Sequence, residues 1–228
     1  IDMIQHDAAL QKLPVRFCMD RAGLSPDDGP THHGLFDIAM IRSIPNIVFM
    51  QPKDEAEFVH MLRTMNHYQN GPTVIRYPRG CGAGTPVPAK AEILPIGKAE
   101  VLQTGQDVTL VSLGTMIGIA RETASLLEAR GYTVTLINAR FIKPLDDECI
   151  RRHAARSRVV CTFEDHSISG GFNSAVLESL ETGNVKTPVE AIAWPDQFIE
   201  HGSESILRKK YGLTAEAALQ KIIPHLNS

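Results

Sequence analysis

The sequence lacks the features that define several large classes of protein. No basic stripe stands out, and the formal net charge of −3 argues against a nucleic-acid partner. No apolar run approaches the roughly 18 residues that a membrane span needs, so the sequence predicts no membrane partner. The four cysteines are scattered without a CxxC pair, which argues against a zinc site and fits a reducing compartment. Nucleotide-binding glycine motifs and Ser-His-Asp spacing are also missing.

Alternating strand and helix patterns fill most of the 228 residues. Short apolar strands separated by helical crossovers are typical of parallel sheets, which predicts an α/β fold of two domains with parallel sheets flanked by helices. Residues 81–91 are rich in Gly, Pro and Ala without periodicity and are interpreted as a linker. The predicted domains are residues 1–88 and 89–228. An edge strand is expected within residues 93–101, and Cys18 and Cys161, in apolar runs, are expected to be buried.

The segment of residues 20–34, DRAGLSPDDGPTHHG, is the richest in titratable groups and follows a predicted strand. Open α/β sheets place their chemistry at the carboxyl ends of strands. His32 and His33 are adjacent, so at most one is expected to face a pocket, where an imidazole can move a proton. Capping of the next helix or exposure to solvent are the alternatives. Asp28 can orient His32 or accept from a substrate hydroxyl, or it serves only an Asx-turn.

Arginines follow two of the predicted strands. Arg21 comes directly after the first strand, and Arg76 and Arg79 bracket Tyr77-Pro78 at the end of another. Guanidinium groups from two strand ends around one crevice form a clamp for phosphate or carboxylate, whose geometry they match. Surface salt bridges are the alternative for each arginine taken alone.

The second half offers weaker candidates. Gly114-Thr115 and Gly170-Gly171 each precede a predicted helix and could hold an anion at its N-terminus. Residues 164–166, Glu-Asp-His, end a strand and could line a crevice between domains, although helix capping is the favoured interpretation. Residues 195–202 are interpreted as a rigid structural loop.

Four segments in order, DRAG…DGPTHHG, FDIAMIRSIPNIVFMQPKDEAE, GPTVIRYPRG and NARFIKPLD, closely resemble the 1-deoxy-D-xylulose-5-phosphate synthase family of the transketolase group. The resemblance covers nearly the whole chain. It implies a truncated pyrimidine-binding domain followed by a transketolase C-terminal-like domain. It also implies a transferase that condenses pyruvate with glyceraldehyde 3-phosphate for isoprenoid and thiamine biosynthesis.

The resemblance implies thiamine diphosphate and magnesium as cofactors, a homodimer, and a cytoplasmic location, or the plastid stroma in a plant. By motif, Arg21 and Arg79 would bind the phosphate of glyceraldehyde 3-phosphate, His32 would contact the reacting centre, and Asp28 would position the bound intermediate. No residue of this chain is assigned to the cofactor or to a metal.

The family's magnesium motif and its activating glutamate do not occur in this sequence, which opens partway through a helical pattern. We therefore expect a C-terminal fragment that requires the N-terminal portion of the same enzyme and is inactive alone. Two alternatives are kept. The β subunit of a 2-oxoacid dehydrogenase shares the two-domain tail but would not need two phosphate-binding arginines, and a non-catalytic dimerisation module would need neither arginine nor His32.

Overall fold

Two mixed β-sheets organise residues 1–227, the part of the chain that the computed structural model describes. Helices connect successive strands and flank both sheets, as the alternating pattern predicts. The predicted α/β class, with largely parallel sheets flanked by helices, is confirmed. Among these residues no helix is both long and apolar enough to cross a lipid bilayer.

The first sheet contains β1 (Arg16–Met19), β2 (Val48–Met50) and β3 (Thr73–Arg76), with β3 between the other two and parallel to both. Helix α1 (Asp37–Ile41) and helix α2 (Glu55–His67) lie in the connections. Asp54 begins α2 by accepting a hydrogen bond from the Glu57 amide at 2.8 Å, as the predicted cap requires. All four residues of β3 are buried, because it is a central strand covered on both faces.

The second sheet has the order β4-β6-β5-β8-β9, with β4 antiparallel at one edge and the other strands parallel. Its strands and helices are β4 (Glu100–Gln103), β5 (Val108–Ser112), α3 (Ile117–Glu128), β6 (Val134–Asn138), α4 (Asp147–Ala154), β8 (Val159–Ser167), α5 (Phe172–Thr182), β9 (Val189–Trp194), α6 (Glu204–Tyr211) and α7 (Ala215–Leu226). Every residue of β5, β6 and β8 is buried, which accounts for their uninterrupted apolar runs.

A short strand from the second half of the chain completes the first sheet. Strand β7 (Phe141–Lys143) pairs antiparallel with β2, and the sequence interpretation did not include it. The helices and the remaining strands lie where they are predicted, with ends that differ by a few residues. The predicted edge strand within residues 93–101 forms instead at β4, three residues past its expected end. The domain division at residue 88 stays a prediction.

Apolar side chains from both sheets form one shared core. Ile38, Phe49 and Val74 of the first half pack in the same cluster as Val111 and Phe172 of the second. The burial predicted for Cys161 is confirmed, whereas that for Cys18 is wrong, because β1 is an edge strand and Cys18 points to solvent. The shared core holds the ends of β1 and β3 in a fixed position relative to the second sheet.

Candidate active site

The loop of residues 20–34 leaves β1 at its carboxyl end and stays bound to the neighbouring strand end. The Ala22 amide donates to the Tyr77 carbonyl oxygen at 2.9 Å, and the Tyr77 amide donates to the Met19 carbonyl oxygen at 3.0 Å. Because β1 and β3 are adjacent and parallel, the residue after β1 and the residues after β3 emerge side by side. Arg21 and Arg79 therefore project from the same edge of the sheet.

A pair of backbone hydrogen bonds closes the neck of this loop. The Gly23 amide donates to the Gly34 carbonyl oxygen at 3.0 Å, and the Gly34 amide donates to the Gly23 carbonyl oxygen at 2.8 Å. Gly23 has a φ of +78°, a left-handed conformation that glycine adopts without the cost other residues meet. Gly34 lies so close to Arg21 that a Cβ there would collide with the Arg21 carbonyl oxygen. The loop is thus a closed unit of twelve residues, 23–34, between two glycines.

Asp28 is the centre of the charged groups that this loop presents. Arg79 donates a hydrogen bond to Asp28 Oδ2, and Arg21 Nε lies 3.9 Å from the same oxygen. The hydrogen bond from Arg79 is the main reason that the pKa of the Asp28 carboxyl is lowered, and the charges of Arg79, His32 and Arg21 act in the same direction. Two guanidinium groups from two strand ends thus converge on one anion.

Arg21 retains an unused donor within this cluster. Its Nε is buried and donates no hydrogen bond to any residue among 1–227, while another of its nitrogens pairs with Asp20. Arg21 also has a φ of +60°, which is uncommon for a residue with a side chain. A buried donor without an acceptor is costly, so this atom is suited to an additional anionic ligand.

The two adjacent histidines have different environments, as their position in the chain predicts. His32 is exposed, and its Nδ1 lies 2.9 Å from the Thr31 hydroxyl oxygen. His33 is buried, and its Nδ1 accepts from the Ser25 amide at 3.0 Å, so it braces the inside of the loop. Burial lowers the pKa of His33 and favours its neutral form. Only His32 is available to a ligand beside Asp28.

The interpretation of Arg76 as part of the clamp is wrong. Arg76 is completely buried, and its Nε donates to Asp37 Oδ2 at 2.8 Å while its Nη1 donates to Gln51 Oε1 at 2.6 Å. Its Nη2 donates to the carbonyl oxygens of Gly34 at 2.9 Å and Asp165 at 3.3 Å. Since Asp165 belongs to the second sheet, Arg76 is a structural connection between the loop neck, β3 and the second half of the chain.

The glycine-rich turns of the second half have structural roles. Glu164 accepts hydrogen bonds from the Phe172 and Asn173 amides at 2.6 and 2.8 Å, so its carboxyl group occupies the N-terminus of α5 after Gly170-Gly171. The favoured interpretation of a helix cap at residues 164–166 therefore holds for Glu164. Gly114 packs directly against the Gln51 side chain at the start of α3. Neither turn leaves room for the anion that its sequence suggested.

Comparison with known protein families assigns both halves of the chain. The model for the transketolase pyrimidine-binding domain matches residues 2–83, and the model for the transketolase C-terminal domain matches residues 97–217. The chain belongs to the transketolase family. Within that family, the predicted resemblance to 1-deoxy-D-xylulose-5-phosphate synthases is confirmed by curated relatives of that name.

The relative from Methylacidiphilum infernorum is 51% identical over 230 residues and is matched by all of this chain. The relative from Acidobacterium capsulatum is 51% identical over 226 residues, with 99% of this chain covered. In both cases this transketolase-family chain spans 36% of the length of the relative. A solved structure titled as a split gene transketolase, an inactive beta4 tetramer, is 30% identical with a TM-score of 0.87, covering 99% of this chain and 71% of its own.

Members of this family imply thiamine diphosphate and magnesium, and the described residues can be tested for both. Residues 1–227 contain no group of three or more His, Cys, Asp or Glu side chains placed to hold a metal ion. The convergent guanidinium groups of Arg21 and Arg79, with the unused Nε of Arg21, fit a phosphate group. The residues present therefore fit a phosphorylated substrate, and they do not form a magnesium diphosphate site.

Proposed function

We propose that this chain is the part of a 1-deoxy-D-xylulose-5-phosphate synthase that binds glyceraldehyde 3-phosphate. The complete enzyme is a transferase that uses thiamine diphosphate and magnesium to condense pyruvate with this triose phosphate and releases carbon dioxide. The observation that carries the proposal is the convergence of Arg21 and Arg79 on one anion beside an exposed histidine. The names of the relatives support the choice of substrates.

Arg21 and Arg79 bind the phosphate group in this proposal. Asp28 pairs with both guanidinium groups without ligand, and a phosphate dianion between them gives the Nε of Arg21 its missing acceptor. Charge-assisted hydrogen bonds from a planar guanidinium are about twice as strong as neutral ones and fix the orientation of the phosphate. The carbon chain of the substrate then extends toward His32, on the same loop.

His32 and Asp28 act on the reacting end of the substrate. The imidazole of His32 is exposed and adjacent to the cluster, so it can donate a proton to the developing alkoxide of the aldehyde. Asp28, held ionised by Arg79, can accept from a substrate hydroxyl. Both assignments rest on the proposed position of the phosphate.

Calorimetric titration of the 228-residue chain with glyceraldehyde 3-phosphate tests the phosphate site. Replacing Arg79 or Arg21 by Ala removes one charged hydrogen-bonding group, which contributes about 1.5–3 kcal/mol. We therefore expect the affinity to fall about 10- to 100-fold in each variant. Arg63→Ala is the matched control, because Arg63 is exposed on α2.

Glyceraldehyde without its phosphate should bind weakly and equally to all four proteins. Equal affinities of wild type and both cluster variants for the triose phosphate would contradict the assignment of the arginines. Failure of the wild-type chain to distinguish glyceraldehyde 3-phosphate from glyceraldehyde would contradict the proposed substrate itself.

We further propose that the activity requires residues beyond those of this chain, since it spans 36% of its relatives. A coupled assay for 1-deoxy-D-xylulose 5-phosphate is expected to detect no product from the 228-residue chain with pyruvate, triose phosphate, thiamine diphosphate and magnesium. Product formation under these conditions would overturn this part of the proposal. Homodimeric assembly and a cytoplasmic location stay predictions.

A further inference from the structure

Asp165 is a buried carboxylate from the second half of the chain that faces the neck of the site loop. It lies on β8 one residue after the helix-capping Glu164, so the alternation of the strand turns its side chain the other way. Asp165 Oδ1 accepts from the Trp194 indole Nε1 at 2.5 Å, and Oδ2 lies 3.3 Å from Arg208 Nη2. The side chain is only 5% exposed, and these two partners hold it in one orientation.

The carboxylate of Asp165 packs directly on Gly23. A Cβ at Gly23 would collide with Asp165 Oδ2, so only the absence of a side chain lets the loop neck approach this carboxylate. The backbone of Asp165 is fixed to the same neck, because the Nη2 of Arg76 donates both to the Asp165 and to the Gly34 carbonyl oxygens. The neck of residues 23 and 34 is therefore held on two sides by one residue of the second sheet.

The tip of the loop contacts the second half as well. Gly29, one residue after Asp28, lies beside His201, whose Cβ is 3.5 Å from the position that a Gly29 Cβ would take. Inside the loop, the imidazole of His33 lies against the backbone of Ile199 and Glu200, and the charge of Asp165 acts on it. Loop neck, interior and tip thus all rest on the second half of the chain.

We propose that Asp165 is a positioning residue for the phosphate site, an inference that rests on the proposed function of Arg21 and Arg79. Arg21 is carried by the loop whose neck Asp165 fixes, whereas Arg79 is carried by the end of β3. The separation of the two guanidinium groups therefore depends on where the neck sits against Asp165. The transketolase C-terminal domain thereby sets the geometry of a site whose ligand it does not touch.

Asp165→Asn tests this role, and Asp146→Asn is its matched control. Asp146 is a buried carboxylate of the same half that accepts from the Ala99 and Cys149 amides, away from the loop. We expect hydrogen exchange at the Gly23 and Gly34 amides to accelerate in Asp165→Asn and to stay at the wild-type rate in Asp146→Asn. The affinity for glyceraldehyde 3-phosphate should fall about tenfold or more in Asp165→Asn only, because misplacement by about an ångström is enough to weaken a bidentate site.

A double-mutant cycle keeps the inference testable if single variants are destabilised. Gly23→Ala places a methyl group against the carboxylate, and Asp165→Ala removes the carboxylate. If the two residues act through contact, the double variant should lose less affinity for the triose phosphate than the product of the two single losses. Losses that multiply independently would overturn the proposal.

The two proposals fail in different ways. If the wild-type chain shows no preference for the phosphorylated triose, the proposed substrate is wrong, and the exchange rates at Gly23 and Gly34 still decide whether Asp165 holds the neck. If the triose phosphate binds and Asp165→Asn matches Asp146→Asn in both exchange and affinity, the positioning role is wrong. The fluorescence of Trp194, the single tryptophan, reports in each variant whether its contact with Asp165 has changed.

Discussion

Arg76 and Arg79 stand three residues apart at the end of one strand and have opposite environments. Arg76 is completely buried, and all three of its guanidinium nitrogens donate to acceptors of the protein. The Arg79 side chain is 46% exposed and pairs only with Asp28 among the described residues. The same functional group is a structural bond in one position and an available donor in the other.

The difference teaches which charges a ligand can recruit. A guanidinium withdrawn from water must have all its donors satisfied, or the desolvation penalty of several kcal/mol is not offset. Such a group cannot release its partners for a substrate. Arg79, by contrast, can exchange Asp28 for another anion at little cost, since water solvates whatever is released.

Replacement of Arg76 by Met should have the largest effect on the molecule. It leaves Asp37 as a buried charge without its main partner, which costs about 3–5 kcal/mol of the free energy of unfolding. Urea denaturation of Arg76→Met and of the control Arg79→Met measures this difference. A loss below about 1 kcal/mol in Arg76→Met would mean that the buried network is not essential.

Glu164 extends the comparison to a buried acid. Burial raises its pKa to about 7, against two backbone hydrogen bonds that lower it, so the folded chain retains a proton that the unfolded chain loses near pH 4.5. The unfolded state then binds fewer protons, and stability falls as the pH rises from about 4.5 to about 7, by about 3 kcal/mol at most. Subtracting the unfolding free energy of Glu164→Gln at each pH isolates this contribution, and a difference constant with pH would contradict it.

His33 should show the opposite sign in an overlapping range of pH. Burial lowers its pKa, so the unfolded chain binds a proton below about pH 6.5 that the folded chain refuses. Stability is therefore lost as the pH falls below that value, by about 1 kcal/mol. His33→Gln should remove this loss, whereas His32→Gln should retain it. An imidazole NMR titration of His33 that ends at or above pH 6.5 would argue against its neutral state.

Asp28→Asn should have the smallest effect on stability and sharpen the comparison most. Because the cluster is exposed, we expect the free energy of unfolding to change by no more than about 0.5 kcal/mol. Without the competing carboxylate, both guanidinium groups are free for an external anion, and inorganic phosphate should bind more tightly than to wild type. Weaker phosphate binding in Asp28→Asn, measured by calorimetry, would show that Asp28 organises the arginines rather than competing for them.

Much of the fold follows from local patterns in the sequence. The buried runs of β5, β6 and β8, and the Asp54 cap of α2, are visible without any knowledge of their neighbours. Strand β7 could not be predicted, because it has three residues and its partner β2 lies some ninety positions earlier. A strand that short gains its stability only from distant pairing.

The candidate site divides in the same way. The placement of Arg21 and Arg79 beside each other follows from their positions after strands, since parallel strands end at one edge. The burial of Arg76 and the contact of Asp165 with Gly23 depend on how two sheets pack, which no local pattern encodes. Sequence reasoning also limited the pair His32-His33 to one exposed member, without deciding which.

Strand β7 has a practical consequence for anyone who dissects this chain. A piece ending in the glycine-rich linker would lose the three residues that pair with β2 and uncover an edge with unsatisfied amides and carbonyls. Uncovered edges of this kind recruit strands from other molecules, and such pieces tend to form insoluble assemblies. The two halves are better expressed together, with any cut for biochemical work placed after residue 143 rather than before it.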